Sequence, residues 1–129
     1  MNTLLPKTVQ HRTGEITLEG TYYIYRISEG AEIVLEDAEE LIRIGTEMVG
    51  NRQVVSIVDG RNNFSITGEA REYFARQTDK NRFLAVAIIT NSTAQRLIIN
   101  FFIRVNKPGV PTKLFANETE AKKWLQNFL

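Results

Sequence analysis

Val54-Val55-Ser56-Ile57-Val58-Asp59 leaves this chain few choices of fold, because four of the six residues are Val or Ile. A strand of that composition is apolar on both faces and reads as the middle of a parallel sheet covered on each side. Phe83-Leu84-Ala85-Val86-Ala87-Ile88-Ile89-Thr90 is a second run of the same kind. Each run ends in a polar turn and is followed by an amphipathic stretch, the alternation of an α/β fold. The first ends on Asp59-Gly60, and in open α/β sheets ligands gather in the crevice beyond such strand ends.

The remaining elements follow from period and punctuation. Residues 1–12 carry weak patterning and read as an irregular lead-in that contains His11. Glu15–Leu18 and Thr21–Ile27, separated by Glu19-Gly20, read as an antiparallel hairpin. Leu35, Ala38, Leu41, Ile42, Gly45, Met48 and Val49 then share one helical face, with Gly50 as the stop. Thr67 opens a second helix, with Ala70, Tyr73, Phe74 and Gln77 along it. Asn91-Ser92-Thr93 opens a third, running to about Val105, with an inner stripe of Ala94, Leu97, Ile98, Phe101, Phe102 and Val105. Thr112–Phe115 is a short strand. Asn117 and Glu120 have the spacing of a capping box before a last helix that turns Ala121, Trp124, Leu125 and Phe128 inward. The expectation is one α/β domain over 1–129, with a mixed sheet of about five strands, four helices and the order β-β-α-β-α-β-α-β-α.

Composition removes several function classes. There is no cysteine, so disulfides and thiolate chemistry are out, and a reducing compartment fits. A net charge of +1 without a basic block argues against a nucleic-acid partner. No apolar run reaches the length of a membrane span, and Met1–Lys7 has no apolar signal region, so the chain reads as cytoplasmic. His11 is the only histidine and has no partner at ligand spacing, which argues against a metal site and against a Ser-His-Asp triad. Neither glycine-rich phosphate motif is present, so no cofactor is expected. The expectation is a protein that is not an enzyme.

Four groups of residues remain as candidates. Thr67 reads as the N-cap of the second helix, with Ser65 two residues before it. Asp59 and Arg61 stand at the strand end: either Asp59 accepts turn N–H bonds and Arg61 forms a surface ion pair, or the two line a ligand or partner edge. Arg96, Asn100 and Arg104 recur at helical spacing, and with Lys107 and Lys113 nearby they form either a solvated face or a small anion-binding edge. Ile99 and Ile103 widen the third helix's apolar surface beyond one stripe, which points to a homodimer contact.

The order of elements, with its opening hairpin and the turn between a buried strand and a short helix, resembles the STAS fold of anti-sigma-factor antagonists and the related SEC14-like (CRAL-TRIO) layout. Asn100-Phe101-Phe102, Asn106-Lys107-Pro108 and Pro111-Thr112-Lys113-Leu114-Phe115 resemble small bacterial proteins of STAS/SEC14 type, as do Glu69-Ala70-Arg71-Glu72-Tyr73 and Val58-Asp59-x-Arg61. The similarity runs over roughly residues 14–129, and that family has no assigned activity. In the antagonists a partner kinase phosphorylates a serine at the start of the helix after the central strand. Thr67 stands at that position, within Ile66-Thr67-Gly68-Glu69, which lacks the antagonists' Asp-Ser-Ser-Gly-like signature. The resemblance therefore implies Thr67, with Ser65 beside it, as candidate phosphoacceptor. A phosphate there would meet the N-terminal N–H groups and dipole of the helix, with Arg61 within reach as a cation. It also implies a regulatory or protein-interaction module whose partner is a kinase or anti-sigma-like regulator. The SEC14 side implies the alternative of a small carrier for an apolar or lipid-like ligand.

Overall fold

The structure, a computed structural model, describes residues 7–129. The first half of the expected lead-in lies outside those residues. Its second half is a strand. Lys7–His11 (β1) pairs antiparallel with Gly14–Glu19 (β2), which pairs antiparallel with Tyr22–Ile27 (β3). Ala31–Ile33 (β4) leads into the helix Leu35–Val49 (α1), and Val54–Asp59 (β5) follows. Phe64–Ile66 (β6), Gly68–Gln77 (α2) and Phe83–Ile89 (β7) come next. The helix Thr93–Phe101 (α3) widens into a π-helical turn over Phe102–Asn106. Thr112–Phe115 (β8) and Glu118–Leu125 (α4) complete the chain, with one 3-10 turn after α4.

The main sheet has six strands in the order β1-β2-β3-β5-β7-β8. Its first half is an antiparallel meander, and from β3 onward every pairing is parallel. β5 therefore lies between two parallel partners, and Val54, Val55 and Ile57 are fully buried. The count exceeds the expected five because β1 has side chains too exposed to show an apolar period. A second sheet, β4 with β6, is a parallel ribbon of three-residue strands, too short for a periodic signal.

Alternation along the strands sends side chains to two cores. Ile24, Val55, Ile57, Ala85, Ala87 and Ile89 meet Ala121 and Leu125 of α4 on one face. Ile16, Tyr25 and Ile27 meet Ala38 and Leu41 of α1 and Ala70 of α2 on the other. α3 joins this second face, where Ile98, Ile99 and Phe102 approach Val86 and Ile88 of β7. Gly45 lets α1 lie close to the sheet, since a Cβ there would stand 2.8 Å from the Tyr23 hydroxyl.

α3 is turned relative to the expected stripe. Gln95 and Ile99 are buried, whereas Leu97, Phe101 and Val105 face outward at 68%, 48% and 58% exposure. Ile99 is thus core rather than contact surface, and Ile103 is half-buried. The reason is specific: the Gln95 amide donates to the Phe64 carbonyl at 3.1 Å, so a polar residue occupies the inner face. No helix among the described residues is long and apolar enough to cross a membrane.

Candidate functional site

The strand end at Asp59 is filled by charge. Arg61 grips the Asp59 carboxylate with both Nε and Nη2, at 2.9 and 2.8 Å. Arg26 of β3 donates to the same carboxylate at 3.1 Å and to Glu118, in the first turn of α4, at 3.3 Å. Arg61 foremost, with Arg26 helping, holds the Asp59 carboxyl below the ordinary carboxylate range against the opposing effect of burial. The same pairing raises the Arg61 pKa. A carboxylate so occupied has little basicity left for proton transfer. Lys107 and Lys113 do not join it. Lys107 follows α3 on the far face in a left-handed conformation, and Lys113 lies over the Phe115 ring beside α4.

Thr67 is the N-cap of α2, its hydroxyl accepting from the Ala70 N–H at 3.2 Å, and its side chain is exposed. Ser65 is exposed on β6, in register with Glu32 of β4. The cation nearest this turn is Arg71, one helical turn beyond Thr67, rather than Arg61, which is committed to Asp59. Arg71 donates to the Ile66 carbonyl at 2.9 Å, and its guanidinium stacks over the Phe101 ring at 5.2 Å. It thereby joins the Thr67 turn to the outward apolar row Leu97, Phe101 and Val105. Beneath α1, α2 and α3 lies a cavity of about 180 Å³, lined by Tyr23, Ile57, Val58, Phe74, Ile99 and Phe102 among others, with Arg71 at its border.

A third cluster escaped the sequence reading. His11, at the end of β1, has its side chain only 7% exposed. Its Nε2 lies 2.8 Å from Glu40 Oε1 and 4.0 Å from Asp37 Oδ1, both on α1. Its Nδ1 lies 2.9 Å from the hydroxyl of Thr13, which is fully buried and 2.5 Å from the Tyr25 hydroxyl. Burial pushes the Tyr25 phenol up to about 12, so it is a neutral hydroxyl at ordinary pH. Burial acts to raise the Asp37 carboxyl, but the Val34 N–H, the Arg12 guanidinium and His11 outweigh it and hold it low. The available signal was Asp37 and Glu40 at i, i+3 on one helix. Their histidine partner comes from a strand that the sequence hides.

Comparison with known proteins agrees with the topology. A solved structure of an uncharacterized protein from the DUF3478 family of Shewanella loihica PV-4, described as having a SpoIIAA-like fold, superposes with a TM-score of 0.55 at 15% identity. The match covers 94% of this chain and 92% of that one, and it supports a STAS-like α/β fold and nothing about activity. A protein of unknown function from Arthrobacter sp. FB24 is 26% identical over 91% of this chain and 95% of its own, with a TM-score of 0.31. Comparison with curated proteins finds no match. The family model described as Domain of unknown function (DUF7793) matches residues 17–129, and the chain belongs to that family.

Proposed function

We propose that this protein is a non-catalytic interaction module, and that the outward face of α3 with Arg71 receives an acidic, amphipathic segment of a partner protein. The observation that carries this reading is the apolar row Leu97, Phe101 and Val105, open to solvent on a helix that itself carries no acidic residue, although Glu72 of α2 accepts a hydrogen bond from Asn106 at its end. Residues 80–117 contain no Asp or Glu and six Lys or Arg, among them Arg96, Arg104 and Lys107. An apolar row rimmed by cations matches a helix with apolar residues on one side and carboxylates on the other. The π-helical turn at its end is a feature that recurs at functional sites.

The charge also bears on self-association. A two-fold dimer through this face would bring Arg96, Arg104 and Lys107 close to their own counterparts, a like-charge cost. A kinase-dependent switch fits at Thr67. A phosphate there would sit at the α2 N-terminus and compete with Phe101 for the Arg71 guanidinium, altering the docking face from its edge. Ser65 suits this less, because Glu32 lies opposite it.

A Glu-rich amphipathic helical peptide, labelled and followed by fluorescence anisotropy, tests the reading. Saturable binding that falls at least about tenfold in Phe101→Ser and in Arg104→Glu, and that weakens with salt, is the expected outcome. Equal binding by the variants removes the surface from consideration. Sedimentation should give a monomer at tens of micromolar, and a dimer dispersed by Leu97→Asp would assign the face to a second copy instead.

The cavity favours a second reading, a carrier of a small apolar ligand. Its volume of about 180 Å³ lies under the usual range of about 300–1,000 Å³ for drug-sized ligands, so only a small molecule or part of a chain would fit. Native mass spectrometry of the purified protein should reveal a co-purifying apolar mass if the carrier reading holds, and the bare chain mass if it does not.

A further inference from the structure

We propose that His11, Asp37 and Glu40 form a binding site for a divalent transition-metal ion of the zinc, cobalt or nickel type. Their ligand atoms lie within 4.8 Å of one another. In a tetrahedral site with bonds of about 2.0 Å, neighbouring ligand atoms stand roughly 3.3 Å apart. The His11 Nε2 distances of 2.8 Å to Glu40 and 4.0 Å to Asp37 bracket that value, so closing on an ion needs side-chain adjustment only.

The atoms that would not bind metal are already held, as the outer shell of a metal site requires. Asp37 Oδ2 accepts from the Val34 N–H at 2.9 Å and from Arg12 Nη2, while Oδ1, which faces the histidine at 4.0 Å, accepts from Arg12 Nε at 3.3 Å, a longer bond that an ion would displace. His11 Nδ1 lies 2.9 Å from the Thr13 hydroxyl, itself 2.5 Å from the Tyr25 hydroxyl, and accepts from the Thr13 backbone N–H at 3.2 Å. With an ion on Nε2 the proton moves to Nδ1, which then donates to the Thr13 hydroxyl and gives up the bond from the Thr13 N–H. Thr13 is fully buried, so the imidazole plane is fixed before any ion arrives. Glu40, with its side chain half exposed, is the mobile ligand and the route of entry.

The donor set selects the ion. One imidazole and two carboxylates suit borderline divalent ions over magnesium or calcium, which prefer all-oxygen cages. Arg12 offsets one of the two carboxylate charges, so the net charge facing the ion is about −1 and binding is exchangeable rather than permanent. Three protein ligands leave a fourth position for water or an exogenous donor. The ion would also tie the edge strand β1 to α1.

Tag-free full-length protein, stripped with chelator, is titrated with zinc by calorimetry and with cobalt by visible absorption. One ion per chain, intense cobalt bands of low coordination number and a raised melting temperature are expected, with no response to magnesium. Glu40→Gln and His11→Gln should each weaken zinc at least about tenfold, while Glu36→Gln, on the same helix outside the cluster, leaves it unchanged. Should His11→Gln unfold, the half-exposed Glu40 variant still decides the matter. Absence of saturable binding below millimolar zinc, or undiminished binding by Glu40→Gln, overturns the proposal.

Discussion

At Thr67 a single hydroxyl does one verifiable job, accepting the Ala70 N–H that the start of α2 would otherwise leave unpaired. Thr67→Ala should lower stability by about 1 kcal/mol in urea titrations, whereas Thr67→Asp, itself a good cap, should stay within a few tenths. Partner binding that changes with Thr67→Asp while stability does not would separate a switch from a cap. Asp59 gives a second prediction at this scale. Its carboxyl is held low in the folded chain, so its contribution is complete above the unfolded value of about 3.9 and is lost as pH falls through the lower folded value. Asp59→Asn should therefore cost about 1–2 kcal/mol at pH 7, a figure reduced because both arginines are partly exposed, and the gap to wild type should narrow as pH falls below the unfolded value of about 3.9. The cap was legible in the sequence because it is local, and so was the place of Asp59 and Arg61 at the strand end, though not their pairing with each other. The third partner, Arg26, was not, because parallel pairing of β3 with β5 brings it in from 33 residues away.

Elements with strong ends were readable, and those without were not. Gly50, Thr67, Ser92 and Asn117 each mark a helix boundary by a mechanism that does not depend on tertiary contacts, and α1 to α4 begin or end where those residues stand. The phase of α3 was lost because Leu97, Ile98, Ile99, Phe101, Phe102, Ile103 and Val105 clothe nearly the whole helix. The narrow polar stripe of Arg96, Asn100 and Arg104 leaves several phases open, and the hydrogen bond from Gln95 to the Phe64 carbonyl favours the one observed. The observed phase is testable by contrast. Ile99→Ala should cost about 2–4 kcal/mol, while Leu97→Ser and Phe101→Ser should stay within about 0.5 kcal/mol in the same denaturant assay. Gly45→Ala tests the approach of α1. Helix propensity alone favours alanine by up to about 1 kcal/mol, yet the 2.8 Å meeting with the Tyr23 hydroxyl should make the variant less stable by about 1–3 kcal/mol.

For the whole molecule, the two faces of the sheet differ in what they leave open. α4 closes one face with Ala121, Leu125 and Trp124 against small alanines of β7, and the Asp59 lattice seals its edge. The other face is shared among three helices, and there the cavity and the unpaired apolar row of α3 lie together. The arrangement of the central strands followed from their composition, since only a doubly covered strand is that apolar. The missing strands β1, β4 and β6 carry their information in backbone pairing, which composition does not record. An NMR titration of isotopically labelled protein with the acidic amphipathic peptide examines the docking face residue by residue. The account predicts shifts confined to Arg71 and residues 93–107, attenuated by salt and abolished in Phe101→Ser. Shifts centred on α4 or the outer strands, or none at concentrations where the peptide is helical and soluble, would contradict it.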